Sequence, residues 1–572
     1  MNLNVYKSDL DIAELKEKLN EEEYVEIKSR KFSDQNINLI LFIEEKPSKL
    51  PDWLDELAVL FKVERFSDEE LTKYNGIVVV ETSKNIYMVS FGHAFWTIEK
   101  YADLDFGMDF AERGIKEDNI TLKGVSFIQR NKMRGLINYK KGLNEFPQAS
   151  ESYFTLSGIP TFEKEYGKSV DCGVGVKFQK TFNMFPKKSE NKFKNINQLV
   201  NIFNEIDITM GLRVNSTLPR LQTLKKNDEQ SKELDRIFLS KITEKENEEA
   251  NIYLDLNRIQ LIGNSVKVID NSHNIQIYIT SDQKGTQQTL EVDATNIQEY
   301  LFKHKDSIDG LDRIKIRILD DNGESLSRTS ELRTLMYCEL ELEGSIYIFQ
   351  NGTWGYLNNK FLELLNNKME EINGIVKFEE RFNIEYSNPI KKSERGENAY
   401  IKDLCSQDKN LIKLHRRNIY LESSPVELAD LYCKKNKELI AVKRGMNTDT
   451  AIYSFEQSLL SIQLLTNHQA YDTKGQLNKY NDKVEEQSEL YEHIPSKEID
   501  TLLKSKNCSV LWLIGEKPKY VFEGVTNSSF KVSEIESLLL RLKILNWYSF
   551  VKDLNLTPTL YFGLDKPINA AT

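Results

Sequence analysis

Two polar residues in the C-terminal third interrupt or follow apolar runs in a way that predicts chemistry as well as packing. Asp430 breaks the run VELADLYC at 426–433, and Lys443 follows the run ELIAV at 438–442. An uncompensated carboxylate inside an apolar strand is costly, so Asp430 needs a partner such as a metal ion. Carboxylate oxygens hold Mg²⁺, and an ammonium group stabilises charge that develops on a phosphate. We therefore expect Asp430 to bind a metal ion and Lys443 to stabilise negative charge that develops beside it.

The elements that must position these two residues alternate between helix and strand. The polar turn KKNK separates the two apolar runs, which predicts two neighbouring antiparallel strands. The predicted elements, in the order α-β-β-β-α-β, are a helix at 393–404, strands at 417–422, 426–433 and 438–445, a helix at 454–465 and a strand at 509–515. We expect the first helix to pack beside a sheet that contains these four strands.

This order of elements and polar residues resembles the core of the PD-(D/E)XK (restriction-endonuclease-like) nuclease superfamily. In that fold a helix supplies a Glu, the middle strand supplies an Asp, the next strand supplies an acid two residues before a Lys, and the following helix often offers a Gln. The matching positions are Glu397 or Glu394, Asp430, Lys443 and Gln457. The resemblance implies Mg²⁺ or Mn²⁺ as the cofactor, Asp430 and Glu397 as metal ligands, and a catalytic role for Gln457.

The acid of the third strand departs from the superfamily pattern, because Ala441 stands two residues before Lys443. Nearby acids that could supply the missing carboxylate are Glu397, Glu427, Glu438 and Glu456. Glu438 has an odd separation from Lys443, so in a regular strand it would face the other side of the sheet. Glu427 has the same parity problem relative to Asp430. A β-bulge in either strand would correct this, and catalytic competence depends on such a replacement.

Each of these residues also has a purely structural interpretation. Asp430 would then be a surface acid on an edge strand, and Lys443 a lysine at the end of a strand. Ser454 and Gln457 match an S-x-x-Q capping box, so Gln457 would only cap its helix. We favour function for Asp430 and Lys443 together, and both interpretations stay open for Gln457 and Glu397.

Positive charge is concentrated around the predicted site. Residues 386–446 hold thirteen Lys or Arg against eight Asp or Glu, a net charge of +5 in a chain of net charge −11. The residues predicted to bind nucleic acid are Lys413, Arg416, Arg417, Lys434, Lys435 and Arg444. Such a patch could follow a phosphate backbone, whereas the simpler interpretation is a solvated basic turn.

Nearly the whole chain also resembles a sporadically distributed family of bacterial proteins of uncharacterised biochemistry. The segments that carry this resemblance are FGHAFWTIEKYADLDFGMDFA, STLPRLQTLKKNDEQSKELD, IYLESSPVELADLYCKKNKELIAVKRG and SVLWLIG followed by SLLLRLKI. Members of this family tend to lie in variable genomic islands. The resemblance therefore implies conflict with phages or plasmids, and a phage-derived trigger as a partner.

Length and strand patterns predict a mixed α/β protein of several domains, because 572 residues exceed a single hydrophobic core. GIVVVETSKNIYMVSFG at 76–92 predicts a hairpin, and MYCELELEGSIYIFQNGTWGYL at 336–357 predicts a three-stranded meander. The predicted division is an N-terminal α/β domain at 1–150, a helical or mixed segment at 151–250, a strand-rich regulatory or sensing segment at 251–385 and a nuclease-like domain at 386–572.

Cysteine usage and the N-terminal sequence predict a cytoplasmic protein. Five cysteines without a CxxC pair argue against a disulfide framework and against structural zinc. Six scattered histidines show no metal-binding spacing. The N-terminus lacks a signal-peptide pattern, and no apolar run approaches the ~18–20 residues that span a bilayer, so no membrane partner is expected.

Taken together, these patterns predict an anti-phage or anti-plasmid defence protein whose C-terminal domain is a Mg²⁺-dependent nuclease acting on DNA or RNA. The residues before 386 would sense, regulate or form a homo-oligomer. The alternative is a non-catalytic module that binds nucleic acid or a phage protein and keeps the nuclease fold as a scaffold. Ala441 favours this alternative, and fold analogy alone does not decide between the two.

Overall fold

A computed structural model of the chain forms a mixed α/β protein with several sheets, as the sequence predicts. The contacts divide it into two compact units, Met1–Thr223 and Leu224–Thr572. The structure describes residues 3–48, 71–127, 130–137, 151–161, 169–178, 193–214, 217–225, 228–243, 252–254, 259–262, 265–268, 274–291, 294–319, 323, 325, 329–350, 352–388, 396–421, 424–445, 448–466, 472–484 and 492–569.

The first unit is built on a ten-stranded antiparallel sheet. In sheet order its strands are Val25–Phe32, Ile37–Ser48, Leu71–Glu81, Ile86–Phe91, Leu3–Lys7, Val176–Phe178, Val170–Cys172, Glu151–Pro160, Ile115–Phe127 and Arg130–Ile137. Its helices are Ile12–Glu21, Phe95–Ile98, Phe106–Gly114 and Phe193–Met210, and the unit ends with the short strand Leu221–Thr223. Apolar residues that alternate along the antiparallel strands point to both faces of the sheet, and they fill one hydrophobic core on each face. The hairpin predicted at 76–92 is confirmed.

The second unit begins with a helix, Glu229–Thr243, that packs on small antiparallel sheets. The predicted meander is confirmed as the paired strands Met336–Leu342, Ser345–Gln350 and Thr353–Leu357. The other strands of this part are Ile252–Leu254, Ile259–Ile262, Ser265–Val268, Asn274–Ile279, Gln288–Glu291, Ile314–Leu319 and Ser330–Glu331. The other helices of this part are Gln283–Thr286, Ala294–Lys303 and Asn359–Ile372.

A six-stranded sheet organises the C-terminal part of the second unit. In sheet order its strands are Val376–Phe378, Thr557–Leu564, Asn507–Ile514, Glu438–Arg444, Leu431–Cys433 and Leu411–Lys413. The first four are parallel, and the last two pair antiparallel. Two separate strand pairs flank it: Glu385–Asn388 with Lys566–Asn569, and Asn418–Leu421 with Ser424–Glu427.

Helices cover both faces of this sheet, as the near-continuous apolar sequences of its parallel strands require. The Gly396–Gln407 helix packs one face through buried residues such as Tyr400 and Leu404. On the opposite face the Thr448–Thr466 helix places Phe455 against Trp512, with ring centroids 6.1 Å apart. The remaining helices are Thr473–Asp482, Ser496–Leu502, Lys519–Thr526 and Leu538–Asp553. No helix of the described residues is long and apolar enough to cross a membrane.

The strand prediction in this region needs two corrections. Residues 418–421 do form a strand, but it pairs with Ser424–Glu427 in a separate hairpin instead of joining the six-stranded sheet. The sheet position next to Leu431–Cys433 is taken by Leu411–Lys413. The predicted strand at 426–433 is divided, because the chain leaves strand geometry at Leu428–Asp430. Glu427 and Asp430 therefore belong to different segments of backbone.

Candidate functional site

The site is built at a notch in the six-stranded sheet, where the strand Leu431–Cys433 begins. Leu431 pairs with Ile440, and the Asp430 backbone N–H still donates to the Ile440 carbonyl at 3.2 Å. The strand Leu431–Cys433 does not extend far enough to place a residue opposite the backbone N–H group of Val442. The Asp430 carboxylate takes that place and accepts from Val442 N at 2.7 Å, which satisfies a buried backbone donor. Asp430 is fully buried, so it is not the surface acid of the structural interpretation.

His415 reaches the notch from the neighbouring edge strand. Lys413 pairs with Leu431, and both Leu414 N and His415 N donate to the Asp430 carbonyl. This backbone link places the imidazole beside the carboxylate, with Nδ1 2.8 Å from Asp430 Oδ1. Both carboxylate oxygens of Asp430 thus have donors, one from a strand backbone and one from His415.

Glu397 and Lys443 meet across the same notch. Glu397 lies in the first turn of the Gly396–Gln407 helix, and Lys443 lies one residue before the end of the central strand Glu438–Arg444. The Lys443 ammonium donates to Glu397 Oε1 at 2.7 Å, and both side chains are largely buried. The Gly396–Gln407 helix and the Glu438–Arg444 strand, which the sequence predicts to contribute to one site, are therefore in direct contact through these two side chains.

Glu427 and Gln457 close the other side of the notch. Gln457 Nε2 donates to Glu427 Oε2 at 2.9 Å, and the backbone N–H of Arg416 donates to Glu427 Oε1. The divided strand brings Glu427 here, which makes the bulge considered above unnecessary. The helix that carries Gln457 begins at Thr448, so Ser454 and Gln457 lie inside it and form no capping box at its start.

One acceptor in this arrangement has no donor. Gln457 is buried, and no group of the described residues donates to its Oε1 atom. The amide cannot simply be reversed, because an oxygen would then face the Glu427 carboxylate. Since a buried unpaired acceptor is costly, this oxygen is a candidate contact for a water molecule or for a ligand with a donor group.

Three residues of the site could hold one metal ion. One ligand atom each of Glu397, His415 and Asp430 lies within 4.8 Å of the others. Ligands on one ion at about 2.1 Å stand at most about 4.2 Å apart, so a small contraction would suffice. Glu397 and Asp430 are the two metal ligands implied by the sequence resemblance. We call the full set the notch cluster: Glu397, His415, Glu427, Asp430, Lys443 and Gln457.

The charges of the notch cluster shift two pKa values in favour of an ion pair. Burial alone would raise the pKa of Asp430, but the Lys443 charge, the His415 contact and the Val442 hydrogen bond outweigh it, and the pKa is lowered. Burial alone would lower the pKa of His415, but the hydrogen bond and charge of Asp430, with the charges of Glu427 and Glu397, raise it. The pair is therefore favoured as carboxylate and imidazolium.

The two glutamates respond in the opposite way. Burial raises the pKa of Glu397, and the nearby Asp430 charge adds to this effect despite the contact with Lys443. Burial and Asp430 likewise raise the pKa of Glu427. Three carboxylates compete for two cationic groups, so the site favours any additional positive charge, such as a divalent cation.

The residues predicted to form a basic patch are dispersed. Lys413 is buried and donates to Asn398 Oδ1 at 2.9 Å, and Arg417 is buried with a contact to the Glu492 carbonyl. Arg444 makes a bidentate pair with Asp565, at 2.9 and 3.1 Å. Only Arg416 is both exposed and beside the notch cluster.

The lysines of the predicted patch lie at the far end of the sheet. Lys434 and Lys435 occupy the turn before Glu438, five residues of strand from Lys443, or roughly 16 Å away. Of the six residues predicted to bind nucleic acid, Arg416 is therefore the one that is exposed beside the notch cluster.

The remaining acids considered in the sequence lie outside the notch cluster. Glu438 sits at the opposite end of its strand and accepts from Ser509 Oγ and Tyr561 Oη. The pairing of that strand is regular, so no bulge turns Glu438 toward Lys443. Glu394 and the side chain of Glu456 lie outside the described residues. Ala441 keeps its place on the strand, and of the candidate acids Glu397 and Glu427 lie in the notch cluster.

His415 is the functional candidate that the sequence did not single out. No other histidine stands at a metal-binding spacing from it, so a motif search passes over it. The available signal was local: LIKLH ends a short alternating run, and the polar residue at its end must lie at the edge of a sheet. Its closeness to Asp430 comes from pairing between strands, which spacing along the chain does not report.

The fold and the notch cluster define a mixed α/β protein with a buried carboxylate, histidine and lysine site at the edge of a largely parallel sheet. The chain belongs to a family of unknown function, DUF6119, whose model matches residues 3–519. A comparison with curated proteins finds no match.

Proposed function

We propose that the notch cluster hydrolyses phosphodiester bonds with a divalent metal ion, as the effector of a cytoplasmic defence against phages or plasmids. The observation that carries this proposal is the convergence of Glu397, His415 and Asp430 on one point, with Lys443 in contact with Glu397. The defence role rests on the resemblance to a genomic-island family and on no contact within the chain.

The donor set fits a hard or borderline divalent cation. Two carboxylate oxygens suit Mg²⁺ and Mn²⁺, and one imidazole nitrogen favours Mn²⁺ over Mg²⁺. The excess of carboxylates over cationic groups and the raised pKa of Glu397 are consistent with a site that gains from added positive charge. When bound, such an ion would supply Lewis-acid chemistry, polarising the phosphate and activating water.

The side chains around the metal site have different proposed roles in the reaction. Asp430 fixes the orientation of the His415 ring through the 2.8 Å contact. Lys443, once released from Glu397, can donate to phosphate oxygens on which negative charge develops. Gln457 holds Glu427 toward the notch through its amide N–H group. Arg416 is the exposed cation positioned to contact the backbone of an incoming nucleic acid.

A second function is favoured by two specific observations. Ala441 occupies the usual acid position, and both oxygens of Asp430 already accept hydrogen bonds within the protein. In a non-catalytic module that binds nucleic acid or a phage protein, the polar groups of this site would be hydrogen-bonded to one another, as those of Asp430 are. The Gln457 oxygen is the exception. The two functions differ in whether the notch cluster binds metal and cleaves.

The decisive experiment incubates the purified full chain with plasmid DNA and total RNA, with and without Mg²⁺ or Mn²⁺. We expect metal-dependent cleavage by the parent, and none by Asp430→Asn or Lys443→Ala. Metal binding measured by calorimetry should be lost in Asp430→Asn and kept in Lys443→Ala, because Asp430 is one of the three proposed metal ligands and Lys443 is not.

The matched control is Glu438→Gln, which changes a buried carboxylate at the other end of the same sheet. It should cleave as the parent does. If Asp430→Asn and Lys443→Ala cleave, or protect cells, as well as the parent while remaining folded, the domain is a scaffold and the binding module is the better description.

A further inference from the structure

The notch cluster is difficult to reach from solvent, and this restricts its substrate. Asp430 is 0% exposed, Gln457 5%, and His415 and Lys443 8% each. The Glu397 side chain is 12% exposed and that of Glu427 22%. Among these six residues, access is therefore greatest at Glu427, whose carboxylate accepts from the backbone of exposed Arg416.

A phosphate in the interior of a duplex cannot easily be brought to such a recessed point. Its neighbours along the strand and the paired strand would meet the surrounding protein surface before the phosphate reached Asp430. Enzymes that must bring a base into a recessed pocket act on single strands or extrude the nucleotide from the helix, and the same geometric constraint applies here. An unpaired strand is thin and can bend, so its backbone can enter through the opening beside the two glutamates.

The unpaired oxygen of Gln457 points to the same kind of substrate. Phosphate diesters carry no hydrogen-bond donor, so the phosphate itself cannot satisfy Oε1. The donors of a nucleotide are the amino and imino groups of its base and, in RNA, the sugar hydroxyl. Inside a duplex the base donors that face the partner strand are already paired, whereas an unpaired nucleotide offers them to the protein.

We propose that the notch cluster acts on single-stranded nucleic acid, and that an unpaired nucleotide enters beside Glu397 and Glu427 with a donor group directed to Gln457 Oε1. This inference rests on the proposed function, since it names the substrate of the same site. Base-paired DNA or RNA is cleaved only where it frays or is opened.

The test uses the full chain with Mn²⁺ and four end-labelled substrates of one sequence: single-stranded DNA, single-stranded RNA, and each annealed to its complement. A fifth substrate joins a duplex to a single-stranded flap. We expect at least one single strand to be cleaved about tenfold faster than its duplex, because unpairing must precede cleavage of the duplex. Cuts in the fifth substrate should fall within the flap.

The outcomes separate this inference from the proposed function. Cleavage of a duplex interior at a rate equal to or above that of its single strand would overturn the single-strand inference and leave the nuclease proposal standing. Absence of cleavage from all five substrates would overturn the nuclease proposal itself. Asp430→Asn, carried through every reaction, excludes a contaminating nuclease as the source of any product. The DNA and RNA arms show which sugar the site accepts.

Discussion

Two buried clusters of charged side chains among the described residues, one in each compact unit, are built on different principles. In the first unit Arg220 donates to Asp105, Asp109 and Glu112 at 3.3, 2.6 and 3.2 Å. We call these four residues the Arg220 cluster. In the second unit the notch cluster contains no arginine, and its cationic groups are a lysine and a histidine.

The difference lies in what each cation can do. A guanidinium group stays charged and offers donors in a fixed fork, so the Arg220 cluster has one arrangement. A lysine and an imidazole can lose protons or turn to other partners. Buried charge alone therefore does not distinguish a functional site from a structural one.

The largest expected effect is the loss of stability when Arg220 becomes Ala. Glu112 would be left without its closest cation inside the first unit, which costs about 3–5 kcal/mol for a buried pair. Denaturant unfolding of the parent and the variant measures this. The exposed pair Arg236 and Glu233 gives a control, since Arg236→Ala should leave the free energy of unfolding almost unchanged. Equal effects of the two substitutions would show that the Arg220 cluster contributes no special stability.

The second expected effect is on metal binding when His415 becomes Ala. One of three ligand groups is removed, so the dissociation constant for Mn²⁺ should rise at least about tenfold. Calorimetric titration with Mn²⁺ gives the affinity. His493→Ala, at an exposed histidine, is the control and should bind Mn²⁺ as the parent does. Unchanged affinity in His415→Ala would remove the imidazole from the ligand set.

The third effect concerns pH and separates the two clusters by their titration. The pKa of His415 should lie above about 6.5, because Asp430, Glu427 and Glu397 outweigh the burial of the ring. A raised folded pKa means that the imidazolium contributes stability fully below about 6.5 and loses it as pH rises through the folded pKa.

The measurement is NMR titration of the metal-free protein labelled in its histidines, assigned by comparison with His415→Gln. Asp430→Asn should lower the pKa of His415, since it removes the hydrogen-bonded charge. Glu438→Gln, distant from the imidazole, should leave it unchanged. A His415 pKa below 6.5 in the parent would show that burial dominates.

The smallest effect is expected from the basic turn. Lys434→Ala with Lys435→Ala should leave the salt dependence of nucleic-acid binding almost unchanged, because the turn lies roughly 16 Å from the notch cluster. Arg416→Ala should lower the slope of log K against log salt by about 1, the value for one lost phosphate contact. Filter binding across a salt series compares them. A larger change for the lysines would place the nucleic acid at the far end of the sheet.

The elements with strong local patterns were predictable from the sequence. The predicted strand at 438–445 and the buried strand at 509–515 correspond to Glu438–Arg444 and Asn507–Ile514, and the helix at 393–404 corresponds to Gly396–Gln407. Each has either a continuous apolar run or a helical apolar spacing that no competing pattern interrupts. These elements carry Glu397 and Lys443, so their contact could be anticipated.

The rest depended on information that the local sequence does not contain. Leu411–Lys413 is only three residues long, and its sequence pattern is no stronger than that of the predicted strand at 418–421. The strand at 418–421 pairs with Ser424–Glu427 in a separate hairpin, whereas Leu411–Lys413 joins the six-stranded sheet. The run at 426–433 is apolar enough to be a single strand, yet Asp430 turns its carboxylate to Val442 and ends the pairing. The position of His415 depends on the pairing of Leu411–Lys413 in the sheet and on the end of strand pairing at Asp430. Both depend on which strands pair with each other, and the local sequence does not determine that.

The edge strand Val376–Phe378 has a practical consequence for any fragment of this protein. It pairs in parallel with Thr557–Leu564 and closes that side of the six-stranded sheet, and Glu385–Asn388 similarly pairs with Lys566–Asn569. A fragment that starts at the predicted boundary of 386 would lose the first of these strands. The backbone of Thr557–Leu564 would then be an open, apolar edge, which invites aggregation through strand pairing between molecules. A fragment that begins before Val376 keeps that edge covered.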